Sequence, residues 1–306
     1  MTKKPFIILV LALVAITARA QDNSAQSIAF PFLRLDRNPV TSAMAGAGFS
    51  STAADPAFAA FGNPAMPVFM DNKVSAAVSY RYWSPKTLQE NHITAAFAVK
   101  LAPRVAVNAG YTRGIQPPVD PETDSFHPND NNFSLGVSFL AAEGVSLGIN
   151  GHYAMQELVK GYRLQSFCAD AVVQYHLENM NAALGVMSVG PQVTSKSSGS
   201  NYSLPSSIKL AGDYTFAFGP CKLLLALDAD YYFKGMMAAS AGANLEMYER
   251  FFLRAGGRYA ADGAPLPTHA ALGAGVKIGP ARVDVTYLTM NKIIGNSLMG
   301  GVSVAF

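Results

Sequence analysis

Charge is scarce in this chain: of its 306 residues, 14% are Asp, Glu, Lys or Arg, against 50% hydrophobic residues. A polymer so composed buries ample apolar surface, which excludes intrinsic disorder. Cysteine is nearly missing as well. Cys168 and Cys221 are too few and too far apart for a disulfide framework, so two unpaired thiols are expected. Long apolar runs are absent after residue 20, which excludes membrane-spanning helices, since each needs about eighteen such residues. A basic surplus is missing too. The nominal +3 comes from 23 Lys and Arg against 20 Asp and Glu, and Lys3, Lys4 and Arg19 fall in the amino-terminal leader, leaving 20 against 20. A neutral chain without a Lys/Arg cluster is a poor nucleic-acid binder, because that binding rests on displaced counterions.

What is present begins with the leader. Lys3 and Lys4, an apolar core from Phe6 to Ile16, and Ala18-Arg19-Ala20 before Gln21 read as a secretory signal over residues 1–20. From Val74 to the end, segments of about ten residues alternate in side-chain character with a period of two, the signature of strands with unlike faces. Val74, Ala76, Val78, Tyr80 and Tyr82 share one parity, while Ser75, Ala77, Ser79 and Arg81 share the other. The pattern recurs in about fourteen segments, an even number, as bacterial outer-membrane barrels require. Connections of alternating length support the same architecture, with long stretches such as Ile115 to Asn131, Met155 to Tyr162 and Gln192 to Ser203, and with Lys234-Gly235 as the exception, short where a long loop is expected. Between them fall brief turns such as Ala102-Pro103 and Gly279-Pro280.

Charge placement is a third test, because an Arg or Lys facing lipid at mid-bilayer costs about 2–4 kcal/mol. Mid-strand charges have the inward parity: Arg81, Lys209, Asp213, Asp228, Asp230, Arg254, Arg258, Lys277, Arg282 and Asp284 are the expected lumen charges. Lys209 is expected beside Asp230 across the Gly219 turn, in a network of mixed sign that tethers or satisfies itself. The outward parity carries aromatics near strand ends, including Tyr82, Tyr175, Phe216, Phe218, Phe233 and Tyr287, as interfacial girdles do. An all-β transmembrane barrel over residues 73–306 is therefore expected, in preference to a soluble β-sandwich.

Residues 21–72 do not alternate and are rich in Gly, Ala and Pro. A barrel of about fourteen strands is too wide for its own side chains to fill, so this stretch is expected inside it as a hatch. Here the residues carry a resemblance. Met44-Ala45-Gly46-Ala47-Gly48, followed by Phe61-Gly62-Asn63-Pro64-Ala65, resembles the amino-terminal region of the FadL superfamily, and with Phe32-Leu33-Arg34-Leu35 and Tyr82-Trp83-Ser84-Pro85 it is most similar to the PorV/PorQ branch of Bacteroidetes. Terminal Phe306, closing an amphipathic strand, resembles the assembly signal of outer-membrane barrels. The resemblance implies a Gram-negative outer-membrane barrel handling secreted clients beside type IX translocon subunits. Its alternative is a passive FadL-like channel for a fatty acid or aromatic hydrocarbon. Met44, Gly46, Gly48, Asn63, Pro64 and Ala65 are the expected gating residues, with Asn63 and Pro64 fixing a turn.

Chemistry-bearing patterns are thin. Asp120, Glu122, Asp124, His127 and Asp130 form an acidic stretch without EF-hand spacing, read as a solvated loop. His152 and His176 share the inward parity but are placed at opposite ends of their strands. No nucleophile has a positioned base, and no cofactor or metal is expected.

Overall fold

The computed structural model describes residues 28–84, 90–118, 126–194, 199–290 and 295–306. The expected leader lies outside them, as do Asp120, Glu122 and Asp124. Seven strands come first: β1 Val74–Ser84, β2 Glu90–Ala102, β3 Val105–Ile115, β4 Asn129–Ala142, β5 Val145–Val159, β6 Tyr162–His176 and β7 Met180–Val189. A two-stranded ribbon follows, β8 Val193–Thr194 with β9 Asn201–Tyr202. The second half gives β10 Ser207–Phe218, β11 Cys221–Tyr232, β12 Met237–Met247, β13 Phe251–Ala260, β14 His269–Ile278, β15 Ala281–Thr289 and β16 Asn296–Ala305. Setting the ribbon aside, fourteen strands pair antiparallel with their chain neighbours, and β16 pairs with β1 to close a barrel.

The alternation in sequence becomes the two faces of the wall. On β1, Ser75, Ser79 and Arg81 are buried inward while Val78 and Tyr80 are each 50% exposed outward. Outward Leu135, Ile149, Phe167, Leu227 and Leu272 are likewise exposed, so an apolar belt surrounds the barrel. Aromatics flank it at strand ends, among them Phe216, Phe218 and Tyr287, and Tyr111 stacks on Phe133 at 4.5 Å. Phe306 closes the seam, exchanging backbone hydrogen bonds with Val74 of 2.8 and 3.0 Å. With short turns assigned to the periplasm, odd strands of the first half rise toward the cell exterior.

Two expected loops are built differently. Met155 to Tyr162 is no loop: β5 and β6 stay in register past Met155↔Gln165 and turn tightly at Lys160-Gly161. The connection from Gln192 to Ser203 contains the β8–β9 ribbon. In both places polar side chains alternate too weakly to reveal a ladder held by backbone bonds beyond the membrane.

Inside the wall, the amino-terminal segment descends from Ile28, bridged to Ser203 near the exterior, to Met70, whose carbonyl accepts from Lys100 near the periplasm. It is built from short turns: 3-10 turns at Pro31–Arg34, Pro56–Phe61 and Pro67–Phe69, and helix α1 at Pro39–Ala43. Each opens on a proline, which is pre-set for the first helical position. Asn38 and Asp55 cap two of them by accepting from Val40 N and Ala57 N. Small residues of the wall let this backbone approach. A Cβ added at Gly256 would overlap Met44, and one at Gly148 would overlap the Pro64-Ala65 peptide. Gly256-Gly257 thus serves close packing: Gly256 faces inward, whereas Gly257 faces outward into open space.

Valine at Gly256 or Gly148 should therefore lower the temperature at which the folded band unfolds on unheated gels, overpacking costing about 1–3 kcal/mol or more. Gly257→Val should leave it unchanged. Equal tolerance at the three positions would contradict the packing described.

Candidate functional site

The structure places nine of the ten expected charges on the lumen wall, and the inner segment meets most of them. Asp230 on β11 is surrounded by cations: Arg34 of the inner segment at 2.6 Å, Lys209 on β10 at 3.3 Å and Arg258 on β13 at 3.3 Å. Asp228, two residues earlier and on the same face, pairs with Lys209 at 3.1 Å. Its carboxylate also accepts from the backbone amides of Gly48 and Phe49 at 3.0 and 3.2 Å. Gly46 and Gly48 have φ of +83° and +93°, which the turn presenting those amides requires. Asp213 on β10 accepts from Ser50 Oγ at 2.5 Å and from Asn181 at 2.8 Å.

A second group sits lower. Asp284 on β15 binds Arg254 at 2.8 Å and Arg282 at 2.9 Å, both guanidinium groups lying over the Phe252 ring. Arg282 also donates to Ala53 O. Arg81 on β1 donates to Asp36 O, ahead of α1, and to Ser42 Oγ within it. Lys277 departs from expectation: it is exposed, because it lies next to the β14–β15 turn at the periplasmic mouth, where inward parity no longer means burial.

The expected gating residues occupy the middle of the inner segment. Met44 is fully buried, its backbone seated against Gly242 and Gly256. Asn63 accepts from Ala65 N at 2.9 Å through its side-chain oxygen, a turn closed by that side chain. Its amide nitrogen donates to Phe49 O and to Gln174. Ser146 and Asn150 on β5 reach the carbonyls of Ala65 and Ala59, and Ser240 and Thr286 reach those of Ala45 and Pro39. Gln174, Ser50 and Asp36 escaped the sequence reading. Polar residues at inward parity in β5 and β6, where charge is rare, were the available signal.

His152 hydrogen-bonds Asp170 at 2.8 Å, whereas His176 meets Asn181 and the Phe69 ring. Both cysteines are free thiols. Asp130 is not part of a solvated loop: it begins β4 and is buried, because β4 starts before the acidic stretch ends.

Two cavities matter. Between inner segment and wall lies a space of about 120 Å³, bordered by Leu33, Phe58, Phe61, Met66 and Leu288 as well as Arg81 and Asp230. On the lipid side, a shallow concavity of about 1080 Å³ crosses β1 to β6. Outward Ala76, Ala95, Ala109 and Gly151 floor it, and Phe97, Tyr111, Leu135, Tyr153 and Phe167 rim it. Directly behind are inward Ala77, Ala96 and Gly110, with Phe58 and Phe61 of the inner segment against them.

No protein-family model matches the sequence, and neither does any curated protein. Solved structures do match. The toluene transporter TodX of Pseudomonas putida superposes with a TM-score of 0.64 at 12% identity, over 87% of this chain and 96% of that one. TbuX, a toluene transporter of Ralstonia pickettii, gives 0.61 at 11% identity over 88% and 98%. A FadL homologue of Pseudomonas aeruginosa gives 0.52 at 12% identity over 88% and 98%. The fold is that of the FadL-type outer-membrane barrels. The closed ladder and its apolar belt set this chain across the outer membrane of a Gram-negative cell.

Asp230→Asn should leave Arg34, Lys209 and Arg258 short of their shared counter-charge, at a cost of about 3–5 kcal/mol. The variant barrel should unfold earlier in urea and flicker open in planar bilayers where the parent stays closed. Parent-like records in both assays would contradict a tethering role.

Proposed function

We propose that this barrel is a passive outer-membrane channel for small hydrophobic molecules, of the class to which toluene and fatty acids belong, with the inner segment as its hatch. The observation that carries this reading is the thin stretch of wall across β1 to β3. There the apolar concavity outside and Phe58 and Phe61 inside are separated by the paired strand backbone, which carries Ala76, Ala77, Ala95, Ala96, Ala109 and Gly110 between them. A ligand displaced from the inner segment would reach the bilayer at that place by parting the β1–β3 ladder past small side chains. The toluene transporters and the FadL homologue, similar in fold, support the substrate class. In the conformation described the path is shut, and the space of about 120 Å³ around Phe58, Phe61 and Leu288 has the size that suits one aromatic ring. Gly46, Gly48, Asn63 and Pro64 are the positions about which the hatch moves.

A second reading, a PorV/PorQ-type accessory of type IX secretion, has its own support. The lumen is packed, and the β5–β6 hairpin carries Leu158, Val159 and Tyr162 exposed at its outer tip, beside a groove shared with β8. An apolar outer rim over a filled lumen suits a protein that receives clients rather than passes solutes.

Expression in Gram-negative cells lacking such channels should accelerate uptake of labelled toluene or oleate over empty-vector cells, and Phe61→Ala should accelerate it further. Uptake equal to the empty vector, with translocon subunits or cargo retained by the gently extracted barrel, would overturn the channel reading in favour of the second.

A further inference from the structure

Near the outer end of the lumen, three potential metal ligands converge from two strands: Glu90 and His92 of β2 and Asp130 of β4. Their donor atoms all lie within 4.8 Å of one another. His92 lies within ion-pair distance of both carboxylates. His92 Nε2 stands 3.3 Å from Glu90 Oε1 and 3.4 Å from Asp130 Oδ2, yet it hydrogen-bonds to neither, and Nδ1 is likewise without a partner. The ring is 1% exposed, and Asp130 Oδ1 is another buried atom with no partner. Leaving His92 Nε2 buried without a partner is costly, and a cation that accepts its lone pair together with one from each neighbouring carboxylate removes that cost.

The spacing says what that is. A tetrahedral ion with ligands at about 2.0–2.1 Å holds neighbouring donor atoms about 3.3 Å apart. The two separations from His92 Nε2 match that edge, and the third, between the carboxylates, lies within 4.8 Å. An imidazole nitrogen with two carboxylates suits a borderline first-row cation, whereas calcium and magnesium require six or more oxygens. Two carboxylates and a neutral imidazole also balance a divalent charge. Arg37 of the inner segment is the cation on which Asp130 and Glu90 act, but it forms no ion pair with them within the 4.0 Å that such a contact needs.

Position 114 preserves the arrangement. Gly114 of β3 stands between His92 and Asp130 in the ladder. A Cβ there would fall on the Asp130 carboxylate and 2.7 Å from His92 Nε2. The missing side chain leaves the room in which the donor atoms meet. We infer that Glu90, His92 and Asp130 form a zinc-type divalent metal site at the outer end of the lumen, joining β2 to β4 across Gly114.

The test uses the full barrel in detergent, stripped with a chelator and titrated calorimetrically with zinc chloride, with bound metal counted by mass spectrometry. One zinc per chain is expected. His92→Ala and Asp130→Asn should abolish binding, and Gly114→Ala, which keeps all three ligands, should weaken it by about tenfold or more. Folding of each variant is checked by its heat-modifiable gel band. Should the variants fail to fold, cobalt loaded into the parent decides, through intense tetrahedral visible bands and shifted imidazole proton resonances. Zinc content at the level of the buffer blank, undiminished binding by folded His92→Ala, or cobalt without those signatures would overturn the site.

Discussion

Burial of Asp228 and Asp230 inside a membrane wall is the constraint on which the rest depends. An ionised carboxylate there is tolerable only with cations or amide hydrogens aimed at it. The wall supplies Lys209 and Arg258, but the remaining partners, Arg34 and the amides of Gly48 and Phe49, come from the inner segment. Barrel and hatch are thereby bound through a shared electrostatic requirement, and neither is satisfied without the other. A segment of short turns with little regular structure of its own is held in one conformation by the wall around it.

The same wall divides its work by strand. From β10 to β15 it is charged on the inside and grips the first part of the inner segment through ion pairs and backbone contacts. From β1 to β6 it also carries Arg81, His92, Asp130 and Asp170 on the inside, but residues 55–66 are received there by close packing against Ala77, Ala96, Gly110 and Gly148 and by hydrogen bonds with Ser75, Ser134, Ser146, Asn150 and Gln174. Interactions of the first kind resist displacement strongly, since removing either partner leaves a buried charge. Those of the second kind yield more readily. The part of the inner segment behind the apolar concavity is thus the part held by small residues and neutral hydrogen bonds.

Much of this was legible in the sequence. A period of two survives any tertiary context because a one-residue slip would turn every lumen charge to lipid, so the strand pattern, its even number and the inward charges other than Lys277 could be read directly. The pairing of Lys209 with Asp230 followed from the turn at Gly219, because a short hairpin fixes register. Other features left no such trace. The ladder beyond Met155 is held by backbone bonds that any side chain permits. The meeting of Glu90, His92 and Asp130 depends on Gly114 lying between two strands, a relation among three segments rather than a motif in one. Subfamily resemblance rested on the Gly-, Ala- and Pro-rich run to Ala65 with Phe32-Leu33-Arg34-Leu35 and Tyr82-Trp83-Ser84-Pro85, short stretches whose described residues serve packing inside the wall and at its rim, and which so carry little information about the client or solute.

Hydrogen exchange of the barrel in lipid nanodiscs, read at the backbone amides of Gly48 and Phe49, tests the central claim most directly. If Asp228 holds the inner segment in the lumen, both amides should exchange as slowly as those of the neighbouring strands β10 and β11. Exchange at the rate of an exposed loop would contradict it, and with it the view that barrel and hatch are one electrostatic unit.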